Sequence, residues 1–368
     1  MVIRSSGGKG RLVTDPPRIS IAQLAEGAMG AGAGVPALGE DGQVRDPLVV
    51  VDLDGVAPTA AVVRDAALAR DGGRLFIGVA SGAPSQVASP LLAALDVTLV
   101  SASAGFSAVP RECVAVADPG GEARALAAMA ARAPQAAVVL GQVLRASEGL
   151  PVTSALDMES FAYSMLLDGP EFRRWLGGRP QRPLPDPVPE PVLIRRDGDR
   201  LLVTLNRPER RNAYGRHLRD ALADALRVAL LDRSVERVVL DGAGPAFCSG
   251  GDLAEFGTAP DLVTAHFVRT LGGAGRLVSE LKDRVEVHLH GSCVGAGVEL
   301  PAFAGTVIAA AGTTFTLPEV GMGLLPGAGG TVSIPRRIGR WRTLYMALTG
   351  RPLDVATALA WGLVDRVT

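Results

Sequence analysis

Glu286, His288 and His290 alternate along Val285–His290, so on a strand all three side chains would point to one face. A pair of histidines two apart can ligate a metal, but a complete set needs a third protein donor at suitable spacing, and no such partner is evident. The pattern predicts no metal, and a polar strand face packed against the other half of the chain. Cys248 and Cys293 flank glycine-rich turns and could be nucleophiles, although small buried filler is the commoner role for such thiols. Ser249 stands outside any GxSxG sequence and no His–Asp pair accompanies it, which argues against a serine hydrolase. Gly242-Ala243-Gly244 lacks the third glycine of a dinucleotide turn, because Phe247 occupies its place. Gly327-Ala328-Gly329-Gly330 lacks the Lys-Ser/Thr of a phosphate loop. What these turns do offer is backbone: without a Cβ, an N–H can approach a ligand closely.

Asp52-Leu53-Asp54-Gly55-Val56 resembles the first motif of haloacid-dehalogenase-type phosphatases, whose aspartates act as nucleophile and acid/base. That chemistry also needs a downstream cation and an acidic pair. Lysine is absent between Lys9 and Lys282, no suitable acidic pair follows, and the motif is read as a strand ending in a tight turn.

Four segments fit together in order and spacing: NRPERRNAY (Asn206–Tyr214), AFCSGGDL (Ala246–Leu253), HGSCVGAGVEL (His290–Leu300) and FTLPEVGMGLLPGAGGT (Phe315–Thr331). Together they resemble the crotonase, or enoyl-CoA hydratase/isomerase, superfamily over about residues 192–367. A thioester that gains negative charge on its carbonyl oxygen needs two N–H donors aimed at that oxygen, each worth about 3–4 kcal/mol in mutational tests. The resemblance puts these donors at Gly251 and Ala296. It places the turn before a helix over Val298–Phe303 whose dipole would add to the stabilisation. It also assigns Glu299 to activating water and Glu319 to delivering or removing the α-proton of a 2-enoyl-CoA, and two such carboxylates titrate as a coupled pair. Gly327 matches the glycine beside the reacting water, and Asp252, Leu253 and Ala254 the segment that wraps pantetheine and adenine. Arg210 and Arg211 could pair with the CoA phosphates, or could be solvated strand-end arginines. No separate cofactor is implied, since coenzyme A is part of the substrate. Isomerase, decarboxylase or C–C lyase chemistry on a CoA thioester would use the same donors; a non-catalytic acyl-CoA-binding subunit is the further alternative. The family's trimers and paired trimers imply a homo-oligomer, and its usual setting is fatty acid metabolism.

The sequence departs from the family pattern in three places near the site. Gly295-Ala296-Gly297 replaces three glycines, Gly305 replaces an aspartate, and His288 and His290 replace apolar residues. A larger departure is that the trailing helices of the family do not follow Thr368. Instead, Glu112–Trp175 resembles such a tail, and it follows Leu95–Pro110, the counterpart of the segment around Thr306–Glu319. With one constant offset Gly82, Leu91, Ala93, Ala102 and Phe106 fall on Gly291, Leu300, Ala302, Ala311 and Phe315. Val87 then stands for Ala296 and Pro90 for Glu299. The interval from Gly55 to Gly82 is shorter than that from Gly242 to Gly291, and lacks the stretch that holds Gly250-Gly251-Asp252. The expected fold is α/β: a crotonase-like ββα superhelix in two unequal copies, the first degenerate, with its tail completing the pocket of the second.

The elements that must position these groups are read as follows. Val192–Pro208 is a hairpin around Asp197-Gly198, Arg219–Leu231 an amphipathic helix, and Val235–Leu240 and Val285–His290 are strands, with helical sequence between them through about Lys282. In the first half, strands are expected at Leu48–Leu53, Leu75–Ala80, Val97–Ser101 and Cys113–Ala117, and helices at Glu122–Ala133 and Ser154–Leu167. Repeated strand, loop and helix argue for an α/β layered fold. The chain divides into a loose arm (residues 1–17), a first domain (18–178), a proline-rich linker (179–191) and a catalytic core (192–368). The 368 residues suit about two domains. A composition of 48% hydrophobic and 20% charged residues supports a large core rather than disorder. The net charge of −1 provides no basic field for nucleic acid or anionic lipid. Three scattered cysteines, no signal-peptide pattern and no long apolar run point to a cytoplasmic protein without a membrane span.

Overall fold

The computed structural model describes residues 15–29, 37–40, 42–54, 59–68, 73–83, 89–104, 108–180 and 183–368. Most of the expected arm, together with Gly55, Val87 and Phe106, lies outside the described residues.

The first half begins with β1 (Arg18–Ser20) and α1 (Ile21–Met29), followed by a small antiparallel pair, β2 (Ala37–Leu38) and β3 (Val44–Arg45). β4 (Leu48–Asp52), α2 (Ala60–Leu68), β5 (Leu75–Ala80), α3 (Ser89–Ala94), β6 (Val97–Ser101) and β7 (Cys113–Val116) come next. Strands β1-β4-β5-β6-β7 form one parallel sheet in that order. The uninterrupted apolar run of β4 follows from burial on both faces. Leu48 and Val50 join the main core, while Val49 and Val51 pack on the opposite face with Phe76, Leu91 and Leu95. Four helices follow: α4 (Pro119–Arg132), α5 (Pro134–Ala146), α6 (Val152–Leu167) and α7 (Pro170–Gly177). The expected helices over 122–133 and 154–167 are α4 and α6. Pro134 and Pro170 each stand in the first turn of the next helix, where a missing N–H costs nothing.

The second half opens with the hairpin β8 (Val192–Asp197) and β9 (Arg200–Leu205), followed by α8 (Arg216–Leu231) and β10 (Arg237–Gly242). The long segment to the next strand holds α9 (Leu262–Gly272) and α10 (Ala274–Glu280). β11 (Val285–Leu289), β12 (Ser292–Val294), α11 (Ala296–Glu299), β13 (Thr306–Ala309) and β14 (Thr314–Thr316) then alternate. α12 (Gly330–Thr349), β15 (Leu353–Asp354), α13 (Val355–Trp361) and β16 (Arg366–Val367) complete the chain. The main sheet runs β16-β13-β11-β10-β9-β8, and β12-β14-β15 form a second, small sheet. Alternation sets the inward face: Leu201, Val203, Val238, Leu240, Val285 and Val287 are in register and buried. On the outer face His288 is exposed and its Nε2 lies 2.7 Å from Glu286 Oε1. The expected packing of this polar face against the other half is not found. Period two turns these residues outward, to solvent.

The strand orders match across the halves: β4-β5-β6-β7 in the first, β10-β11-β13-β16 in the second. The division at the proline-rich segment does not divide the core, because one apolar cluster contains Leu75, Leu126 and Leu140 together with Leu240, Val287 and Leu324. α12 lies at the junction. Its Trp341 Nε1 donates to Leu95 O (3.0 Å), its Arg342 to Val109 O (3.0 Å), and Tyr345 Oη to Glu122 (2.9 Å).

Candidate active site

Asn212 is fully buried and anchors the first glycine turn. Its Oδ1 accepts from Arg207 N (2.8 Å), and its Nδ2 donates to the carbonyls of Ala243, Ala246 and Phe247 (2.9, 3.0 and 3.0 Å). This holds the loop that delivers Cys248–Gly251. Tyr214 then forms a parallel bridge with Gly251: Tyr214 N donates to Gly250 O (2.7 Å), and Asp252 N to Tyr214 O (3.3 Å). Such a bridge uses the groups flanking Gly251, so the N–H of Gly251 itself points the other way. A Cβ on Gly251 would meet the Phe256 ring at 2.8 Å.

The second turn is stitched to the first by Val294 N donating to Cys248 O (3.0 Å). Gly295 has φ +48°, and a Cβ there would sit 2.4 Å from Glu319 Oε1 and 3.7 Å from Glu299 Oε1. One backbone position thus lies between the two carboxyls, and only glycine fits it. Ala296 follows as the first residue of α11, where an N–H has no intrahelical acceptor. Among the described residues no backbone hydrogen bond uses the N–H of Gly251 or of Ala296. α11 spans only Ala296–Glu299 and gives way to a 3-10 turn at Pro301–Phe303. The expected helix over 298–303 is therefore one turn long, because Pro301 cannot continue the ladder. Its dipole is correspondingly small, and the local N–H groups carry the electrostatics.

Glu299 lies three residues beyond Ala296 on the same side of that turn. It is 2% exposed, and its Oε2 accepts from Ala328 N (2.7 Å) and Gly330 N (2.9 Å). Glu319 starts the turn after β14, is 8% exposed, and its Oε2 is buried without a hydrogen-bond partner. Burial, then the charges of Glu319 and Glu159, hold the Glu299 carboxyl well above the usual range. Burial above all pushes Glu319 up to about 8. Burial raises the Cys248 thiol to about 12 and Cys293 further, so neither is a ready nucleophile. No group of three or more His, Cys, Asp or Glu among the described residues is arranged to hold a metal ion.

Gly251, Asp252, Ala296, Glu299, Glu319 and Gly327 all line one cavity of about 700 Å³. Leu253, Ala254, Arg210 and Arg211 do not line it. Arg210 is engaged with Asp252 through bonds of 2.6 and 3.1 Å, and Arg211 is exposed in a left-handed conformation. Arg216, Arg219 and Arg276 reach the cavity instead. The first half supplies the rest of the wall. Tyr163 of α6 lies against Gly327, where a Cβ would be 2.2 Å from its ring, and Phe172 of α7 packs beside Phe256 with centroids 6.4 Å apart. Glu159 of α6 also lines the cavity. A sequence signal for it exists: it falls on the buried stripe of α6 with Ala155 and Leu166, where a lone acid is out of place.

The α/β architecture and paired glycine turns define a crotonase-type fold. Residues 199–368 match the family described as Enoyl-CoA hydratase/isomerase. A probable enoyl-CoA hydratase of Rhizobium meliloti is 34% identical over 178 residues, which cover 48% of this chain and 68% of the relative. The 1,2-epoxyphenylacetyl-CoA isomerase of Escherichia coli is 34% identical over 172 residues, covering 45% and 65%. A solved enoyl-CoA hydratase of Thermoplasma volcanium is 32% identical, with a TM-score of 0.45, covering 48% of this chain and 71% of that one. The chain belongs to the enoyl-CoA hydratase/isomerase family, whose members act on acyl-CoA thioesters. No helix among the described residues is long and apolar enough to cross a membrane.

Proposed function

We propose that this protein is a hydro-lyase that adds water, syn, across the double bond of a 2-enoyl-CoA. One observation carries the reading: two N–H groups without acceptors among the described residues and two buried carboxyls border one cavity. The N–H groups of Gly251 and Ala296 would receive the thioester oxygen as it gains negative charge. Glu299, oriented by its two N–H bonds, would in its ionised form take a proton from water as the water oxygen bonds C3. Glu319, raised to about 8 and unpartnered at Oε2, suits a neutral acid that delivers a proton to C2. The proton gained by one carboxyl and lost by the other is redistributed within the coupled pair. Asp252 acts by holding Arg210 in this scheme, and Arg216 at the cavity wall is the candidate for the CoA phosphates, with Arg219 and Arg276 there paired to Asp220 and Glu280.

Isomerase chemistry is the second reading, because an isomerase and a hydratase among the relatives are equally similar at 34% identity. A panel of 2-enoyl-CoA esters, followed by loss of the conjugated absorbance and by NMR of the product, separates the outcomes. Hydration yields a 3-hydroxyacyl-CoA, isomerisation a shifted double bond, and a binding subunit neither. The first is expected; either of the others with every ester would refute hydration.

We further propose that the first half is a catalytically dead copy of the same fold. The matching strand order supports this, as does Pro90, on the helix α3, at the place of Glu299. The family's trimeric or hexameric assembly is proposed for this chain by the same resemblance.

A further inference from the structure

The turn from Ala328 to Thr331 is held by two carboxylates in strict alternation. Glu299 Oε2 accepts from the N–H of Ala328 and of Gly330. Glu159, from the other half of the chain, accepts from Gly329 N at Oε1 (2.7 Å), and from Thr331 N (2.9 Å) and Thr331 Oγ1 (2.7 Å) at Oε2. Glu159 is 2% exposed, and among the described residues every hydrogen bond it accepts comes from this one turn. The turn carries Gly327 into the cavity and opens α12. A carboxylate so placed does more than cap a helix, because Glu299 and Glu319 lie within its electrostatic reach.

We infer that Glu159 is a positioning residue of the active site: with Glu299 it fixes the Gly327–Thr331 turn, and its charge makes the catalytic pair part of a cluster of three carboxyls. The first half of the chain thereby sets where and how the second half's glutamates hold protons. Arg269 of α9, Tyr163 of α6 itself, Glu299 of α11 and Glu319 after β14 interact with the charge of Glu159; His266 of α9 bonds Ser160 Oγ, and Arg336 of α12 donates to Val332 O and Leu150 O. Arg269 is itself tied to α6 by bonds to Ser160 and Ser164 and lies over the Tyr163 ring. Burial raises Glu159 to about 7, against the bonds from Thr331 and Gly329 and the charge of Arg269. Near neutrality its charge varies, and the charge pushes both catalytic carboxyls upward.

Glu159 acts on the hydratase site proposed above, so its effect on rate rests on that reading; its effect on the carboxyl titrations does not. The test is a carbon-NMR titration of the full chain labelled at the glutamate carboxyls, with signals assigned through Glu299→Gln and Glu319→Gln. In Glu159→Gln the two catalytic carboxyls should titrate lower by roughly one pH unit. The bell-shaped rate profile with an enoyl-CoA should move in the same direction, with KM changed less than about threefold. Unmoved titrations overturn the inference, and a lowered melting temperature with unmoved titrations leaves only a structural cap. Should Glu159→Gln not fold, Thr331→Val removes one hydroxyl donor while keeping the N–H. The Glu159 signal should then rise, and a fixed signal overturns the inference equally. A wild-type protein that hydrates no enoyl-CoA sinks the hydratase reading and leaves the titration readable.

Discussion

Glu319 Oε2 is a buried acceptor without a donor among the described residues, a group that costs about 1–3 kcal/mol when left unmade. The geometry that suits it to proton delivery therefore weakens the fold, and the weakening depends on pH. Its folded pKa, about 8, lies above the ordinary 4.5, so the folded state binds more protons than the unfolded state between those values. The corresponding stability is fully present below about pH 4.5 and is lost as pH rises through about 8. Glu319→Gln cannot ionise and should escape this loss. Thermal melts should show the variant several degrees more stable than wild type at pH 8–9 and nearly equal to it at pH 5. A constant difference across that range would contradict the burial-raised carboxyl.

The two glycine turns depend on elements outside them. Asn212 satisfies three carbonyls and one N–H, and Asn212→Ala would leave them without partners. We expect a loss of about 2–3 kcal/mol, read as a lower urea midpoint at unchanged slope, together with reduced turnover as Gly251 loses its bridge to Tyr214. At this scale much was legible in the sequence. The glycines, the two glutamates and most strand positions follow from motif and alternation, and they meet at one cavity. The short α11 was misjudged because the apolar run conceals the stop at Pro301. The pairing of Arg210 with Asp252 is not visible in a sequence, which shows an arginine but not the carboxylate that engages it. Glu159 and Tyr163 lie far along the chain from the motifs, and only tertiary packing brings them to Gly327 and Thr331.

In the whole molecule, one core runs through both halves and the cavity is closed by α6 and α7 from the first. The helices over 122–133 and 154–167 were readable from sequence; the bonds that tie the first half to α12 were not, since Trp341 to Leu95 and Tyr345 to Glu122 depend on how the sheets stack. A fragment of residues 192–368 would expose the faces that these contacts cover. It should be poorly folded, or fold with hydration at least about a hundredfold slower, as expected when positioning is lost. Circular dichroism and the enoyl-CoA assay check this, and a folded fragment at full rate would refute completion of the site by the first half.

The central claim is that Glu299 and Glu319 together perform the addition of water. Its most direct test is the hydration rate of Glu299→Gln and Glu319→Gln with an enoyl-CoA that the wild-type protein converts. Each variant should fall by about a thousandfold or more while still binding the ester. Activity within tenfold of wild type in both would contradict the two-glutamate mechanism.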